Sequence, residues 1–490
     1  MSLARNFGDR VRKALFWRSG TQIVAQLISW GSTLAVIRIL DPADYGLFAM
    51  TQVVLVFLSF LNGYGLASSI IQAEEVDPTR LRQAFGALLL LNGGIAVLQF
   101  LLAPLAASYY QQPIIADLLR VQAFIFLATP FIVLPEALMA RELEFKRTAL
   151  VNLLSAIIGA VVALSCALSD QGVWTLIYAA LAIFWTQAIG LFLAARMYIW
   201  PSFRFAGARD MFTFGGLILL AHIFWTVQSQ SDIFIASRFL SIHDLGLYAE
   251  ALFLTTIFTA KFVPPLNEIA FPAYARLQDD RQQLSRNFLK AVRLIMLVAC
   301  PLYLGLAVTA HELVAVVLGS KWLPMAPLVG VLALAMPFMT LQILFAPANN
   351  ALDRPDISAR VSACGALLMP FGFFVGVQFG TMGLALSWLA LAPILAVFTF
   401  VQSKRHIGLS AAGLIAAIWP GMSASAAMAL LVYAAGTILP EMSVYWRLPI
   451  LIATGGLAYG LLLMVLGRET LAELVNFVVR RKVSGDLAAA

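Results

Sequence analysis

Charge is scarce in this chain. Only 12% of its 490 residues are Asp, Glu, Lys or Arg, against 61% hydrophobic, and no soluble domain covers so apolar an interior with a polar surface. Cysteine is nearly missing as well: Cys166, Cys300 and Cys364 all fall within apolar runs, which argues against a disulfide framework and leaves them as packed apolar side chains. Four histidines without ligand spacing offer no zinc site. There is no Walker lysine loop and no dinucleotide glycine fingerprint, so an ATP-driven pump would need a separate subunit. A long loop on the outer face is also lacking, and a glycan polymerase or ligase would have nowhere to put its catalytic groups. The chain therefore reads as a non-enzyme, with no catalytic residue, no cofactor and no resident metal.

What is present is apolar length. A helix needs about 20 residues to cross roughly 30 Å of hydrocarbon. Runs of that kind fall at 19–40, 45–72, 84–106, 115–139, 149–169, 172–197, 212–238, 245–270, 288–312, 324–350, 357–378, 382–402, 411–438 and 445–467. The expected fold class is an all-α polytopic membrane protein of about fourteen spans. With the N-terminus on the cytoplasmic side, 26 of the 32 basic residues lie in cytoplasmic segments. Arg38, Arg120, Arg238, Lys321 and Arg447 lie opposite, and Lys261 sits inside a span. Short cytoplasmic loops collect Lys and Arg, so both termini are expected in the cytoplasm. The net charge of +7 is then a mark of topology, and no nucleic-acid partner is inferred from it. The first run is too long for a signal-peptide core and is expected to remain as the first helix.

The chain is also written twice. Residues 29–49 and 229–249 align without a gap, with identities at Arg38/Arg238, Leu40/Leu240, Asp44/Asp244, Gly46/Gly246, Leu47/Leu247 and Ala49/Ala249. The offset, slightly lengthened, pairs Pro130 with Pro337 and Gly172 with Gly380. Six spans per copy is an even number, so both copies enter the membrane from the same side and the duplication is parallel. The expected organisation is a six-helix lobe over 1–200, a second over 201–405, an appended two-helix hairpin over 406–467 and a cytoplasmic tail over 468–490. The charged stretch 271–290 is expected to form an interfacial amphipathic helix. Pro130 and Pro337 are expected to kink the fourth and tenth spans. Arg38 and Arg238, each six residues before an aspartate, are expected to cap helical hairpins.

An ionisable side chain at the bilayer centre costs roughly 2.5 to 3.5 kcal/mol and normally faces a cavity or a partner. The second copy holds most of them. His222 and Lys261 lie about ten residues, roughly 15 Å, into the seventh and eighth spans, and Asp232 and Glu250 lie near the outer third of the same helices. Their first-copy counterparts are Gln22 for His222, Ser32 for Asp232, Met50 for Glu250 and Leu61 for Lys261. Lys261, Arg18, His222 and Gln22 are the candidates for lining a substrate path; Asp232 and Glu250 are the candidates for ion coupling. The plain alternatives stand beside them: Asp232 pairing with Arg238, His222 as a packing residue, Glu250 outside the hydrocarbon, and Arg18 as part of the positive-inside charge.

Several segments together resemble a known family. Arg38-Ile39-Leu40, Pro42, Asp44-Tyr45-Gly46-Leu47, Leu138 with Arg141 and Phe145, Gly172-Val173-Trp174, Phe271-Pro272-Ala273 through Arg276 and Asp279-Asp280, and Glu312-Leu313 through Gly319, Lys321 and Trp322 are similar to the polysaccharide flippases. The resemblance is closest to the lipopolysaccharide and exopolysaccharide branch often called WzxC-like, within the multidrug, oligosaccharidyl-lipid and polysaccharide exporter superfamily. It runs from about residue 15 to 405. It implies two six-helix lobes around a central cavity, two extra helices, and alternating-access translocation of undecaprenyl-pyrophosphate-linked repeat units across a bacterial inner membrane for exopolysaccharide or lipopolysaccharide synthesis. Implied partners are the lipid-linked oligosaccharide, membrane lipids, and a polysaccharide polymerase with its export machinery. The family's acidic residue in the second span is replaced here by Asn62-Gly63-Tyr64-Gly65. A cation-coupled drug or small-molecule antiporter of the same superfamily is the alternative reading.

Overall fold

Hydrocarbon offers no water to a backbone amide, so a chain this apolar is driven into helices whose amides bond within their own segment. The computed structural model is helical, with no strand among the described residues. Those are residues 2–59, 62, 77–142, 144–204, 216–440 and 442–466, with side chains from Gly20 onward in the first helix and from Ile223 onward in the helix that begins at Gly216.

The first copy comprises α1 (Ser2–Ile39), α2 (Pro42–Ser59), α3 (Pro78–Tyr110), a broken fourth span made of α4 (Ile114–Gln122), α5 (Phe124–Ala128) and α6 (Pro130–Arg141), then α7 (Phe145–Leu168) and α8 (Trp174–Ala194). The second comprises α9 (Gly216–Phe239), α10 (Ile242–Ala275), α11 (Arg281–Val317), α12 (Ala326–Ile343), α13 (Phe345–Ala351), α14 (Pro355–Gly376) and α15 (Gly380–Ile407). A last pair, α16 (Ala411–Ile438) and α17 (Val444–Leu466), follows.

Twelve helical runs among the described residues are long and apolar enough to cross a membrane, where the hydropathy profile predicts fourteen. The difference has two local causes. Pro355–Ile407 forms a single run of 53 residues that contains both α14 and α15, joined by a short 3-10 turn at Val377–Phe379. The seventh expected span, α9, is not among the twelve; its side chains are described only from Ile223 onward.

The chain divides into two compact units: Met1–Thr226 with Ala236–Gly246, and Val227–Ile235 with Leu247–Ala490. In the first, α7 packs between α1 and α8. Phe85, Phe131 and Phe192 meet edge to face at 5.6 and 5.8 Å over a core of Leu88, Val133 and Leu134. Copies of the duplicated motif touch inside this unit. A Cβ on Gly46 would strike the Ile242 carbonyl, and one on Gly246 would strike the carbonyl of Pro42. Glycine is retained at both places because the backbones approach too closely for a side chain. The pair Gly172 and Gly380 has positive φ, +52° and +72°, a region open to glycine at little cost, so the turns into α8 and α15 are made alike.

In the second unit α11 is the centre, flanked by α12, α16 and α17. Hydroxyls of Thr259, Tyr303 and Thr340 meet in its interior, tying α10, α11 and α12 together. The appended hairpin is held by Met428, Val432 and Leu451 and by Arg447, which pairs with Glu312 at 3.0 Å and donates to the Gly436 carbonyl at 2.7 Å.

Three local expectations change. No separate interfacial helix occupies 271–290: α10 runs to Ala275 and α11 starts at Arg281, capped by the Asp280 carboxylate accepting from the Gln283 amide at 2.9 Å. Capping at the hairpins is done by the aspartates, Asp44 accepting from the Asp41 amide at 3.1 Å and Asp244 from the Ser241 hydroxyl at 2.7 Å. Arg238 instead donates to the Tyr109 carbonyl at the end of α3 at 2.7 Å. Pro130 starts α6 just after a break, whereas α12 continues through Pro337 and breaks only after Ile343.

Gly246→Ala is expected to lower the thermal midpoint in detergent by an amount equivalent to about 1–3 kcal/mol, the usual cost of overpacking. Gly93→Ala, where the added methyl meets nothing within 4 Å, is the control that leaves it unchanged or raises it. Equal behaviour of the two variants in a thermal-shift assay would contradict the close approach.

Candidate functional site

Asp232 lies in α9, where burying a carboxylate demands compensation. The side chain has no exposed surface. Its compensation comes from neutral donors: the Ile233 amide to Oδ1 at 2.8 Å, the Tyr248 hydroxyl to Oδ2 at 2.9 Å and the Trp388 indole N–H to Oδ2 at 3.3 Å. The same indole N–H reaches the Tyr248 oxygen at 3.0 Å, so Tyr248 accepts from one partner and donates to the other. Tyr248 and Trp388 are themselves buried, and Phe373 packs on the indole with ring centroids 5.4 Å apart. The cluster joins α9, α10 and α15 within the second unit, and none of its hydrogen bonds comes from a cation. Gln228 and Ser231 add buried oxygens, Oε1 and Oγ, with no hydrogen-bond partner among the described residues.

Duplication makes the cluster readable. Ser32 stands where Asp232 does in the first copy, Phe48 where Tyr248 does, and Ala180, by the Gly172/Gly380 pairing, where Trp388 does. Carboxylate, phenol and indole are present together in one copy and absent together from the other. The first two of these differences lie inside the aligned motif and were open to inspection in the sequence. The third is not, since Trp388 is 156 residues from Asp232.

The other expected residues do not join this cluster. Glu250 is half-buried on α10, two residues beyond Tyr248, with no hydrogen bond or ion pair among the described residues. Arg238 is engaged at Tyr109 and does not pair with Asp232. Lys261 is exposed, and from Ala260 to Ala273 only Val263 is buried, over a stretch that also holds Pro264, Pro265 and Pro272. This end of α10 is thus thinly packed, and Lys261 has no ion pair among the described residues. Gln22, exposed on α1, lines a cavity of the first unit. The side chains of Arg18 and His222 lie outside the described residues. Asn62, at the position where the resemblance expects an acid, is buried, and its carbonyl accepts from the Asn92 side chain at 2.9 Å.

Comparison with known proteins follows this geometry. The family model described as "Polysaccharide biosynthesis protein" matches residues 35–327. The chain belongs to that family. Its relatives include the lipopolysaccharide biosynthesis protein WzxC of Escherichia coli (strain K12), 26% identical over 412 residues, which cover 82% of each chain. The succinoglycan biosynthesis transport protein ExoT of Rhizobium meliloti (strain 1021) is 24% identical over 456 residues, 91% of each chain. Among solved structures, the lipid II flippase MurJ in an inward closed conformation superposes with a TM-score of 0.75 at 12% identity, covering 93% of this chain and 99% of that one. An inward-facing multidrug resistance MATE family transporter gives 0.61 at 13% identity, covering 81% and 98%. These structural likenesses establish a polytopic membrane fold shared with both.

Tyr248→Phe is expected to destabilise the protein by about 1–3 kcal/mol, because it removes a donor from a buried carboxylate. Asp232→Leu in the same background is expected to recover part of that loss, since contacting residues couple. Additive changes in the thermal midpoints of the single and double variants would contradict the hydrogen-bonded cluster.

Proposed function

We propose that this polysaccharide biosynthesis family member moves undecaprenyl-pyrophosphate-linked oligosaccharide repeat units from the cytoplasmic to the outer leaflet of a bacterial inner membrane. The observation that carries the reading is the near end-to-end alignment with relatives named for lipopolysaccharide and succinoglycan biosynthesis, the second of them as a transport protein. Both termini are proposed to lie in the cytoplasm, a reading supported by the distribution of basic residues. The domain organisation proposed is the one the repeat gives: two six-helix lobes over 1–200 and 201–405, a hairpin over 406–467 and a tail. A drug or small-cation antiporter is less well supported, because the family matched is one of polysaccharide biosynthesis.

A pyrophosphate-linked glycan is a large polar anion that hydrocarbon excludes, so its carrier must offset charge along the way. Lys261, exposed on a thinly packed, proline-bearing stretch of α10, is proposed to meet the pyrophosphate, with Arg18, His222 and Gln22 as further contacts along the path. An anion leaving a negative-inside cell gains roughly 2.3 kcal/mol per charge per 100 mV, so the membrane potential favours export on its own. Asp232 and Glu250 are proposed as the groups through which an ion gradient adds to that force. Asp232 is the stronger of the two, being a buried carboxylate with no cation in its hydrogen-bond set. A polymerase and export machinery are proposed to take up the delivered repeat unit.

The test is complementation of a host lacking this protein. Lys261→Ala at normal membrane abundance is expected to cut polymer output at least tenfold while lipid-linked repeat units accumulate, and Lys261→Arg is expected to retain most of it. Full output from the alanine variant would remove Lys261 from the path.

A further inference from the structure

Three helix termini meet at one end of the second unit: the start of α11, the start of α14 and the end of α15. A Cβ on Gly408, just past α15, would lie 3.6 Å from the Arg281 carbonyl oxygen, and the Ser285 hydroxyl donates to the Gly408 carbonyl at 3.0 Å. Arg354 ties α14 to the same place. It donates to both Asp356 oxygens at 2.7 and 2.9 Å, and its Nη1 lies 3.0 and 3.1 Å from the ring nitrogens of His406, in the last turn of α15. Arg360 pairs with the same carboxylate at 3.0 Å. The charges acting on His406 are those of three arginines, Arg354, Arg281 and Arg360, against one aspartate, Asp356. Lys404 and Arg405 stand in the same turn of α15. Neither Arg281 nor Arg405 has an ion pair among the described residues, and Asp280 is engaged as the cap of α11. Basic residues at the ends of spans satisfy topology wherever they point; that rule does not require them to converge on one imidazole. Like charges gathered in this way raise the local potential and favour an anion.

The helices leading away from the cluster indicate which anion. On α14, Leu367 and Phe371 follow Arg360 at helical spacings that keep them on its face, and they are 79% and 68% exposed. On α15, Val401, Val397 and Ile394 precede Arg405 at similar spacings and are exposed as well. Apolar stripes open to hydrocarbon thus end at guanidiniums. Basic pockets between transmembrane helices take lipid head groups. We propose that this end of the second unit binds an anionic phospholipid of the leaflet proposed above to be cytoplasmic. The exposed Arg281, Arg360 and Arg405 hold its phosphodiester, and its acyl chains lie along the stripes of α14 and α15. A guanidinium presents paired N–H donors to phosphate oxygens, and Arg354, held between Asp356 and His406, fixes α14 against α15 beneath them. A zwitterionic phospholipid brings its own cation against the cluster, and free pyrophosphate leaves the stripes unused. The site goes beyond the flippase reading and does not depend on the cargo.

The test is binding of pyrene-labelled phosphatidylglycerol to the full-length protein in a neutral detergent, with labelled phosphatidylcholine and inorganic pyrophosphate as comparison probes. Phosphatidylglycerol is expected to bind about tenfold more tightly than phosphatidylcholine. Arg281→Gln combined with Arg405→Gln is expected to weaken it about tenfold at an unchanged thermal midpoint. Arg405→Gln alone is expected to weaken it about threefold, which keeps the comparison within a folded protein if the double variant unfolds. Arg286→Gln, exposed on α11 and not among the charges that act on His406, is expected to leave binding unchanged. Equal affinity for the two phospholipids, or an equal loss from Arg286→Gln, overturns the site and leaves a diffuse basic surface. Displacement of the labelled lipid by pyrophosphate as readily as by unlabelled phosphatidylglycerol overturns the lipid and assigns the cluster to a free phosphate anion.

Discussion

Hydrocarbon satisfies neither a backbone amide nor a charge, and that single constraint organises the molecule. It makes the described residues helical and gives defined partners to basic side chains at the ends of spans. Arg120 pairs with Asp117 at 3.2 Å, Arg447 with Glu312 at 3.0 Å, and Arg238 binds the Tyr109 carbonyl. Against that pattern Lys261 and Asp232 stand out for opposite reasons. Lys261 is exposed without an ion pair, and Asp232 is enclosed without a cation among its hydrogen-bond partners, both among the described residues.

Duplication supplies the scaffold and divergence supplies the chemistry. The glycines common to both copies sit where backbone geometry favours them: Gly46 and Gly246 at a close approach, Gly172 and Gly380 at positive φ. Three of the differences between the copies meet in one helical bundle. Ser32, Phe48 and Ala180 in one copy become Asp232, Tyr248 and Trp388 in the other, and the last three form one buried network. Such a set works only as a whole, since a buried carboxylate lacking its donors costs more than the serine it replaces.

Much of this was legible in the chain. Apolar length located the helices, and the rarity of in-membrane acids drew attention to Asp232. Two things were not legible, each for a physical reason. Trp388, a partner of Asp232, and Tyr109, the partner of Arg238, lie 156 and 129 residues away, which no local pattern reveals. Glu136 and Asn152, on different helices of the first copy, attract no attention singly and line one cavity only when α1, α6 and α7 enclose it. Breaks in the fourth span were half-visible: Pro130 marks one of them, but the one at Ala123 carries no proline.

The central claim is that the chain changes the leaflet in which a lipid-linked glycan resides. Its most direct test is the sidedness of that glycan in spheroplasts of the native host, with and without this protein, probed by a glycan-cleaving enzyme that cannot cross the membrane. Depletion of the protein is expected to leave the lipid-linked repeat unit synthesised but protected on the inner leaflet. Unchanged cleavage from outside after depletion would contradict the account and assign this transporter a different cargo.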